Sequence, residues 1–347
     1  MMIPNKIIEN DLKEILQGDV QWNVFQGANV LVTGATGFIA GYIVETLAYL
    51  NETTDSLPVK IYALARNEHK LTHRFSHLIN NVNFTTVIQD VNTPWMSDAK
   101  IDFIIHAASD ASPKKYLNAP VDTIKANTLG IINLLELAKK NNAKLLFLSS
   151  GAVYGDNETL EISESSYGVV DPLHPRSCYS ESKRLGEAMC MAYWRQYGVA
   201  ITIARISHTY GPTLNLDDGR VFTDLVADAI ADRELVIRGD GLDSRPFCYI
   251  TDMVRGLFFI LINGIAGNAY NVGIDEELSI VDLAELIKKV SGKMYLKINV
   301  NNYSQLKREQ IRSAGHFNLC KLKSLGWKDL ISPEEGFRRM YNYYASQ

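Results

Sequence analysis

Short runs of aliphatic residues alternate along the chain with longer segments that carry hydrophobic residues at helical spacing. The aliphatic runs are nearly continuous in Val, Ile and Leu, and they lie at 29–34, 59–66, 83–90, 101–109, 144–150 and 200–207. The helical segments lie between them, at 38–50, about 119–141 and 180–198. A strand without polar alternation is buried on both faces, so the pattern predicts a parallel sheet with helices on both sides. We therefore expect a doubly wound α/β fold that binds its ligands beyond the carboxyl ends of the strands.

The pattern changes at two places, and these changes predict the domain organisation. Before the first strand, Ile8, Leu12 and Ile15 recur at helical spacing, which predicts an amphipathic helix. After residue 207 the chain turns to loops rich in Gly, Asp and Arg, followed by short helices. We expect an N-terminal extension at 1–25, a nucleotide-binding domain at 26–207 and a smaller substrate lobe at 208–347, of which about 246–272 returns to the first domain.

The composition narrows the classes of partner. The chain has 347 residues and a formal net charge of -4, which gives no reason to expect nucleic acid or a membrane surface as a partner. No apolar run approaches the roughly 18 residues of a membrane span, and the N-terminal segment is not signal-like, so we expect a cytoplasmic protein. The cysteines are scattered without a CxxC pair. His69, His73 and His77 share a helical spacing, but no further ligand completes the set, so we expect no metal.

A glycine turn lies between the first strand and the first long helix, in "LVTGATGFIAG". Gly34 allows a tight turn, Gly37 lets a pyrophosphate approach the backbone, and the small Ala40 lets the helix pack on the strand. The start of the helix supplies amide donors for an anion. The segment therefore predicts a dinucleotide site, and the flanking residues expected to contact the cofactor are Thr33, Thr36, Phe38 and Ile39.

The end of the second strand bears on which nicotinamide cofactor is bound. An NAD site commonly has an acid there that accepts from the ribose 2′-hydroxyl. This chain has Ala65-Arg66-Asn67 instead, and Arg66 can pair with a 2′-phosphate. We therefore favour NADP over NAD, with a strand-capping arginine as the alternative. Asp90, after the third strand, is expected to accept from the adenine amino group.

Tyr179 and Lys183 are four residues apart at the start of a predicted helix, so their side chains share one face. The lysine can hold a cofactor ribose and lower the pKa of the tyrosine. A tyrosine tuned in this way can exchange a proton with a sugar hydroxyl or carbonyl while hydride moves to or from nicotinamide. The pair therefore predicts a redox step on a hydroxyl-bearing carbon.

Several motifs together resemble one known family. They are "TGATGFIAG", "IIHAAS", "SSGAVYG", "CYSESKRLGE", "RISHTYGP" and "GDGLDSRPFCYITD", and with "LGW" they extend to about residue 327. The chain resembles the extended short-chain dehydrogenases/reductases, specifically the NAD-dependent epimerase/dehydratase family that acts on nucleotide sugars. The resemblance implies a Rossmann sheet with a smaller C-terminal lobe. The segments around "CYSESKRLGE" and "YGPTLNLDDGRV" are most similar to UDP-glucuronate decarboxylases.

The resemblance also implies roles for individual residues. Ser150 would hydrogen-bond the 4-oxygen of the sugar and relay a proton to Tyr179. Further cofactor contacts would come from Val91, Ala107, Ala108, Ser109, Asn127 and Ile206, together with Tyr179 and Lys183. The nucleotide-diphosphate sugar would contact Ser109, Ser150, His208, Arg220, Arg245 and either Arg308 or Arg312. His208 replaces the family's asparagine and can donate to a phosphate, more strongly when protonated. A homodimer formed through the helices at 119–141 and 180–198 is also implied.

Two residues depart from the family pattern in a way that bears on the reaction. After Ser150, sugar 4,6-dehydratases carry an Asp-Glu pair and decarboxylases carry a Glu at the second position. This chain has Gly151 and Ala152, and neither can move a proton. We therefore expect hydride transfer at sugar C4 alone, by a 4-ketoreductase or a 4-epimerase. The alternative is a UDP-glucuronate decarboxylase or 4,6-dehydratase that uses a displaced acid such as Asp110, and a more remote one is a non-catalytic nucleotide-binding regulator.

Overall fold

The computed structural model describes residues 5–54, 56–156, 161–301 and 316–347. The strands in these ranges are β1 (Asn29–Thr33), β2 (Lys60–Ala65), β3 (Phe84–Ile88), β4 (Phe103–His106), β5 (Lys144–Ser150), β6 (Glu161–Ile162), β7 (Ile201–Ile206), β8 (His208–Tyr210), β9 (Leu235–Arg238), β10 (Ser244–Tyr249), β11 (Asn268–Val272), β12 (Glu277–Ser279), β13 (Ile298–Asn301) and β14 (His316–Phe317). The α-helices are α1 (Lys6–Gln17), α2 (Phe38–Thr53), α3 (Glu68–Arg74), α4 (Pro113–Asn118), α5 (Pro120–Lys125), α6 (Ile131–Asn141), α7 (Ser177–Tyr197), α8 (Val221–Ile230), α9 (Ile250–Asn263), α10 (Ile280–Val290), α11 (Cys320–Lys323) and α12 (Pro333–Ala345).

A seven-stranded sheet, with strand order β11-β7-β5-β4-β1-β2-β3, forms the centre of the fold. Its strands are parallel throughout, and β1 lies between β2 and β4, with Val30 opposite Ile61 on one side and Phe103 on the other. The chain runs outward from β1 to β3 and then crosses back to β4. This reversal leaves a crevice at the carboxyl ends of β1 and β4, where doubly wound sheets bind ligands. The predicted fold class is confirmed, and each of the six predicted strands is present.

Burial explains why the sheet strands lack polar alternation. The residues of β5 from Leu145 to Ser149 are all buried, and so are the last four residues of β1. Behind the sheet, α9 is buried from Ile250 to Leu261, and it packs against β5, β7 and β11. A helix that is hydrophobic on every side must be covered on every side. The N-terminal helix α1 supplies part of that cover, since it packs on both α9 and α2.

The predicted helix at 119–141 is helical but is not one regular α-helix. It consists of α5, a π-helical turn at Ala126–Gly130, and α6. Hydrophobic spacing does not reveal the extra residue of such a turn, and π-turns are frequent at functional sites. The turn places Asn127 in the interior, where its side chain is fully buried. Helix α7 begins at Ser177, three residues before the predicted start, and it ends at a left-handed Gly198.

Smaller sheets follow the main one in the C-terminal part of the chain. β8, β10 and β12 form a three-stranded sheet, and the pairs β9–β13 and β6–β14 form two others. β10 leads into α9, after which β11 returns to the main sheet beside β7, with Asn268 opposite Thr202. In the ranges that the structure describes, no helix has both the length and the apolar character needed to cross a bilayer.

A buried carboxylate ties α1 to the rest of the molecule. Asp11 is fully buried, and its oxygens accept hydrogen bonds from the Tyr42 and Tyr249 hydroxyls at 2.9 Å each and from Arg339 Nη1 at 3.0 Å. These donors lie on α2, at the end of β10 and on α12. Burial raises the pKa of Asp11 to about 6, although the bonds from Tyr249, Arg339 and Tyr42 oppose that rise. One side chain thus joins the N-terminal helix to three other elements.

We predict that Asp11→Ala lowers the free energy of unfolding by about 2–4 kcal/mol at pH 7, because two buried tyrosine hydroxyls lose their acceptor. The folded-state pKa of Asp11 lies above the ordinary value, so the wild type binds this proton more tightly when folded and loses stability as the pH rises from about 4 to 6. The difference between wild type and variant should therefore shrink over that range. Urea denaturation at several pH values measures it.

The control is Glu9→Ala on the same helix, which removes only an exposed ion pair with Lys13 and should leave the urea midpoint unchanged. An Asp11→Ala midpoint equal to that of the control would contradict the role given to Asp11.

Candidate functional site

The glycine turn lies at the crevice between β1 and β4. Gly34 has a left-handed φ of 69°, and a Cβ there would lie 2.7 Å from the Ala108 Cα and 2.8 Å from the Ala107 carbonyl oxygen. Only glycine allows that approach between the turn and the loop after β4. Gly37 caps the start of α2, and its amide donates to the Gly34 carbonyl at 2.7 Å. Thr36, Phe38 and Ile39, which the sequence predicts to contact the cofactor, flank this cap.

Unpartnered polar atoms near this turn test whether a dinucleotide fits. Among the described residues, Ser109 Oγ and Asn127 Oδ1 are buried without a hydrogen-bond partner. Asn127 Nδ2 donates to Ser182 Oγ at 2.9 Å, which leaves the carbonyl oxygen of the side chain as the free acceptor. Thr33 Oγ1 is paired with His106 Nδ1 at 2.8 Å, behind the turn. A tight glycine turn beside orphaned polar atoms is the arrangement that a bound dinucleotide would complete, so the residues present fit NAD or NADP.

The residues expected at the adenosine end lie at the carboxyl ends of β2 and β3. Arg66 directly follows β2 and is exposed. Asp90 follows β3, and its Oδ1 accepts from the Asn92 amide at 2.9 Å. Val91 is buried, and its carbonyl accepts from Asn133 Nδ2 at 3.0 Å. Nothing in these contacts distinguishes a 2′-hydroxyl from a 2′-phosphate.

Ser150, Tyr179 and Lys183 come together at the end of β5. Ser150 Oγ accepts from the Ala152 amide at 3.2 Å, and it lies close enough to the Tyr179 side chain to lower the pKa of that tyrosine. Lys183 Nζ lies 5.9 Å from the centre of the Tyr179 ring, and it donates to the Leu148 carbonyl at 2.7 Å. Ile206, which ends β7, lies opposite Ser150 in the sheet. The structure therefore brings together the three residues predicted to move a proton.

The electrostatics of Tyr179 differ from the sequence-based expectation. The pKa of Tyr179 is raised, because burial outweighs the hydrogen bond from Ser150 and the positive charge of Arg220, both of which lower it. Lys183 was expected to lower this pKa, and in the structure Ser150 and Arg220 do so instead. Desolvation lowers the pKa of Lys183 itself to about 7, since its side chain is only 3% exposed. A half-charged lysine is a weaker electrostatic partner than the full charge assumed from the sequence.

Gly151 and Ala152 line a space that an aromatic ring closes. A Cβ at Gly151 would lie 2.7 Å from Phe317 Cζ, so the ring stands where a longer side chain at 151 would extend. Phe317 is buried in β14 and packs edge-on against Tyr154, with ring centroids 5.7 Å apart. Phe317, from the far end of the chain, thus occupies the space that an acidic side chain at position 151 would need.

His208, Arg220 and Arg245 form a basic cluster near the catalytic residues. His208 opens β8 opposite Phe247 of β10, and Arg245 lies on the same strand β10. Desolvation by the surrounding protein, together with the charges of Arg245 and Arg220, lowers the pKa of His208 to about 3, although the residue keeps some exposed surface. The imidazole is therefore neutral at neutral pH, and any contact with a phosphate would be a neutral hydrogen bond. The charge of Arg220 also lowers the pKa of Tyr179, so the cluster and the tyrosine interact electrostatically.

Some predicted residues are placed elsewhere. Asp110 lies in the loop after β4 and forms an ion pair with Lys115 at 3.6 Å. Arg308 and Arg312 lie outside the described residues. His77 pairs with Glu45 at 3.0 Å beyond the end of α3, so it does not continue the helical face of His69 and His73. Within the described ranges no group of three or more His, Cys, Asp or Glu side chains is arranged to hold a metal ion.

The sequence analysis missed a buried ion network beneath the site. Glu187 of α7 accepts from Ser149 Oγ at 2.6 Å and from Arg205 at 3.0 and 2.7 Å. Arg205 also donates to the Tyr154 hydroxyl at 3.1 Å. The network joins β5, β7 and α7. It positions Ser150, which follows Ser149 in the chain, and Lys183, which lies one helical turn before Glu187. Glu187 follows Lys183 by four residues, and that spacing was the available signal.

An aromatic contact was also missed. Tyr116 of α4 stacks on Tyr179, with ring centroids 5.3 Å apart and planes 12° from parallel. It fixes the orientation of the catalytic ring. Helix α4 is too short for hydrophobic spacing in the sequence to predict it.

Comparison with known proteins extends over the whole of this site. A family model described as the NAD dependent epimerase/dehydratase family matches residues 30–273. UDP-glucuronic acid decarboxylase 1 of Xenopus tropicalis is 35% identical over 324 residues, which cover 92% of this chain and 72% of that protein. UDP-glucuronic acid decarboxylase 6 of Arabidopsis thaliana is 35% identical over 313 residues, covering 90% and 87%. The solved UDP-glucuronic acid 4-epimerase from Bacillus cereus, in complex with NAD, superimposes with a TM-score of 0.76 at 26% identity, covering 92% and 99%.

Proposed function

The chain belongs to the NAD dependent epimerase/dehydratase family, as its motifs predicted, and on that premise we propose that it oxidises C4 of a UDP-linked uronic acid and releases the carboxyl group as carbon dioxide. The observation that carries the proposal is the group formed by Ser150 with the buried Tyr179 and Lys183, in a chain 35% identical to UDP-glucuronic acid decarboxylases over nine-tenths of its length. These relatives favour decarboxylation, the alternative in the sequence analysis, over the 4-ketoreductase or 4-epimerase expected first.

The residues of the site have defined tasks in this reaction. Tyr179 takes the proton of the C4 hydroxyl, with Ser150 hydrogen-bonded to the same oxygen, and Lys183 holds the tyrosine and the cofactor ribose in place. The nicotinamide cofactor, when bound, supplies hydride acceptance and return at C4. His208, Arg220 and Arg245 would bind the diphosphate, with the two arginines providing charge-assisted hydrogen bonds.

Loss of the carboxyl group follows from the position of the ketone. A ketone at C4 is β to the carboxylate carried on C5. The bond between C5 and the carboxyl carbon breaks, carbon dioxide leaves, and the electron pair passes to the C4 oxygen as an enolate. Ser150 and Tyr179 donate hydrogen bonds to that oxygen, and a proton returns to C5. The net change is uronate anion plus one proton from solvent to a pentose plus carbon dioxide, with the cofactor returned to its starting state.

This chemistry tolerates Gly151 and Ala152. A β-keto carboxylate leaves as carbon dioxide without an acid on the leaving group and without a base at C5. A 4,6-dehydration needs both an acid for the departing hydroxyl and a base at C5, and neither residue supplies them. The dehydratase version of the alternative is therefore disfavoured, and the decarboxylase version does not require Asp110.

A second candidate is hydride and proton exchange at C4 without loss of carbon, by a 4-ketoreductase or a 4-epimerase. Two observations favour it. Neither Gly151 nor Ala152 carries a group that transfers a proton, and the ring of Phe317 fills the space beside Gly151. A site closed in this way is suited to a substrate that reacts at one carbon.

We predict that purified protein releases carbon dioxide from UDP-glucuronic acid, with no net absorbance change at about 340 nm because the cofactor is recycled. Tyr179→Phe should lower that turnover by about 10²–10⁴-fold and leave the cofactor dissociation constant nearly unchanged. Tyr197→Phe, an exposed position on the same helix, is the control and should keep full activity.

The outcomes separate the candidates. Steady consumption of reduced cofactor with a 4-keto sugar supports the reductase, and formation of a C4 epimer without carbon dioxide supports the epimerase. Full activity of Tyr179→Phe would exclude the role given to Tyr179 in all of them.

We propose NADP as the cofactor. Arg66 follows β2, and none of the residues at 65–67 is an acid that could accept from the 2′-hydroxyl of NAD. A charge-assisted contact to a 2′-phosphate is worth about 1.5–3 kcal/mol, so Arg66→Ala should weaken NADP by about 10–100-fold and leave NAD nearly unchanged. Isothermal titration of both cofactors measures this. The B. cereus structure holds NAD. If the wild type binds NAD more tightly than NADP, the assignment to Arg66 is wrong.

We also propose that two copies associate through α5, the π-turn and α7. α5 packs against α7, and the exposed side chains there include Val121, Ile124, Leu129 and Leu185, which are 59%, 40%, 48% and 48% exposed. Apolar side chains clustered on one face are typical of an interface. Light scattering should give twice the chain mass for the wild type and the single mass for Leu185→Glu. A monomeric wild type would contradict the dimer.

A further inference from the structure

We propose that Arg74 is a positioning residue that holds the glycine turn and the loop after β8 in one arrangement, so that the cofactor and the nucleotide of the substrate bind cooperatively. Arg74 Nη1 donates to the Thr36 carbonyl at 3.2 Å, within the glycine turn. Its Nη2 donates to Thr213 Oγ1 at 3.3 Å, in the loop that follows β8. One guanidinium therefore contacts both the glycine turn and the loop that follows β8, the strand that carries His208.

Gly41 is the counterpart that makes room for this guanidinium. A Cβ at Gly41 would lie 1.9 Å from Arg74 Nη2 and 2.2 Å from its Cζ, so the group rests directly on the first turn of α2. A glycine inside a helix destabilises it relative to alanine. The close approach of Arg74 therefore explains why residue 41 is glycine. Gly41 is not in a turn and has no positive φ that would otherwise require glycine.

The other contact of Arg74 is made to a strained loop. Thr213 has a φ of 69°, a left-handed conformation that β-branched residues rarely adopt. Such a conformation persists only when neighbouring groups hold it. Arg74 holds the Thr213 side chain, and the Tyr344 hydroxyl of α12 donates to the carbonyl of the next residue, Leu214. The loop follows directly on β8, whose first residue, His208, belongs to the basic cluster.

These contacts give a physical route for coupling. A phosphate bound at the start of α2 orders the glycine turn, and the Thr36 carbonyl then fixes Arg74. Arg74 in turn fixes Thr213 and the loop that follows the diphosphate-binding strand. Because both ligands favour the same arrangement, each should raise the affinity for the other by the same factor. The inference rests on the proposed function, since it needs a cofactor site and a nucleotide site.

Isothermal titration tests the coupling directly. The probes are UDP and whichever of NAD or NADP binds the wild type more tightly, each titrated with and without the other. The wild type should show a coupling factor of about 5–10-fold. Arg74→Ala should reduce it to near 1 and weaken the cofactor. Arg74→Lys keeps the charge but lacks the fork that reaches two oxygens at once, so it should fold normally and also lose most of the coupling.

Gly41→Ala is the matched variant, because the new methyl group displaces the guanidinium without altering it. Alone it should also reduce the coupling factor to near 1. In the Arg74→Ala background it should have no further effect, since the three heavy atoms nearest to the new Cβ all belong to Arg74.

Four results would overturn the inference. Coupling retained in both Arg74→Ala and Arg74→Lys would show that the arginine does not carry it. An additive effect of Gly41→Ala in the Arg74→Ala background would show that Gly41 acts independently. A wild type that binds both ligands without coupling would refute the inference alone, whereas a wild type that binds neither would refute the proposed function as well.

Discussion

The buried ammonium of Lys183 is the feature on which the site depends. A charge removed from water costs several kcal/mol unless polar groups surround it. Here its partner within hydrogen-bond distance is the Leu148 carbonyl at 2.7 Å, and the Phe147 ring lies 4.8 Å away. Glu187, one turn further along α7, favours the charged form but does not restore the ordinary pKa. A lysine with a pKa of about 7 is balanced between two charge states at neutral pH, so a small change in its surroundings alters its charge.

The elements around this lysine are held by the ion network of Glu187 and Arg205. The network crosses from β5 to α7 to β7, and these are the elements that carry Ser150, Tyr179 and Ile206. Buried ion pairs add little net stability but fix geometry strongly, because removing one partner leaves the other uncompensated. The proposed catalytic residues thus lie on regular elements whose relative positions are fixed by the charge pairing beneath them.

The C-terminal part of the chain meets the sheet through charged side chains as well. Arg220 affects both Tyr179 and His208, so the proposed diphosphate cluster and the proposed proton-transfer group share one electrostatic environment. Asp11 joins α1 to β10 and α12, and Arg74 joins α2 to the loop after β8. Each connection links a part of the sheet domain to a part of the C-terminal region. A ligand bound between them would therefore act on groups that are already connected.

Much of the fold was predictable from the sequence, because periodicity and turn chemistry are local. The Val/Ile/Leu runs determined the six strands and the parallel sheet, the Gly34–Gly37 spacing determined the turn, and the Tyr179–Lys183 spacing determined that both side chains share a helix face. The tertiary structure decided what depends on contacts between distant residues. It placed the Phe317 ring against Gly151, the Arg74 guanidinium on Gly41, and Arg205 on Glu187. It also reversed the expected pKa shift of Tyr179, because burial depends on the whole fold and not on the residue four positions away.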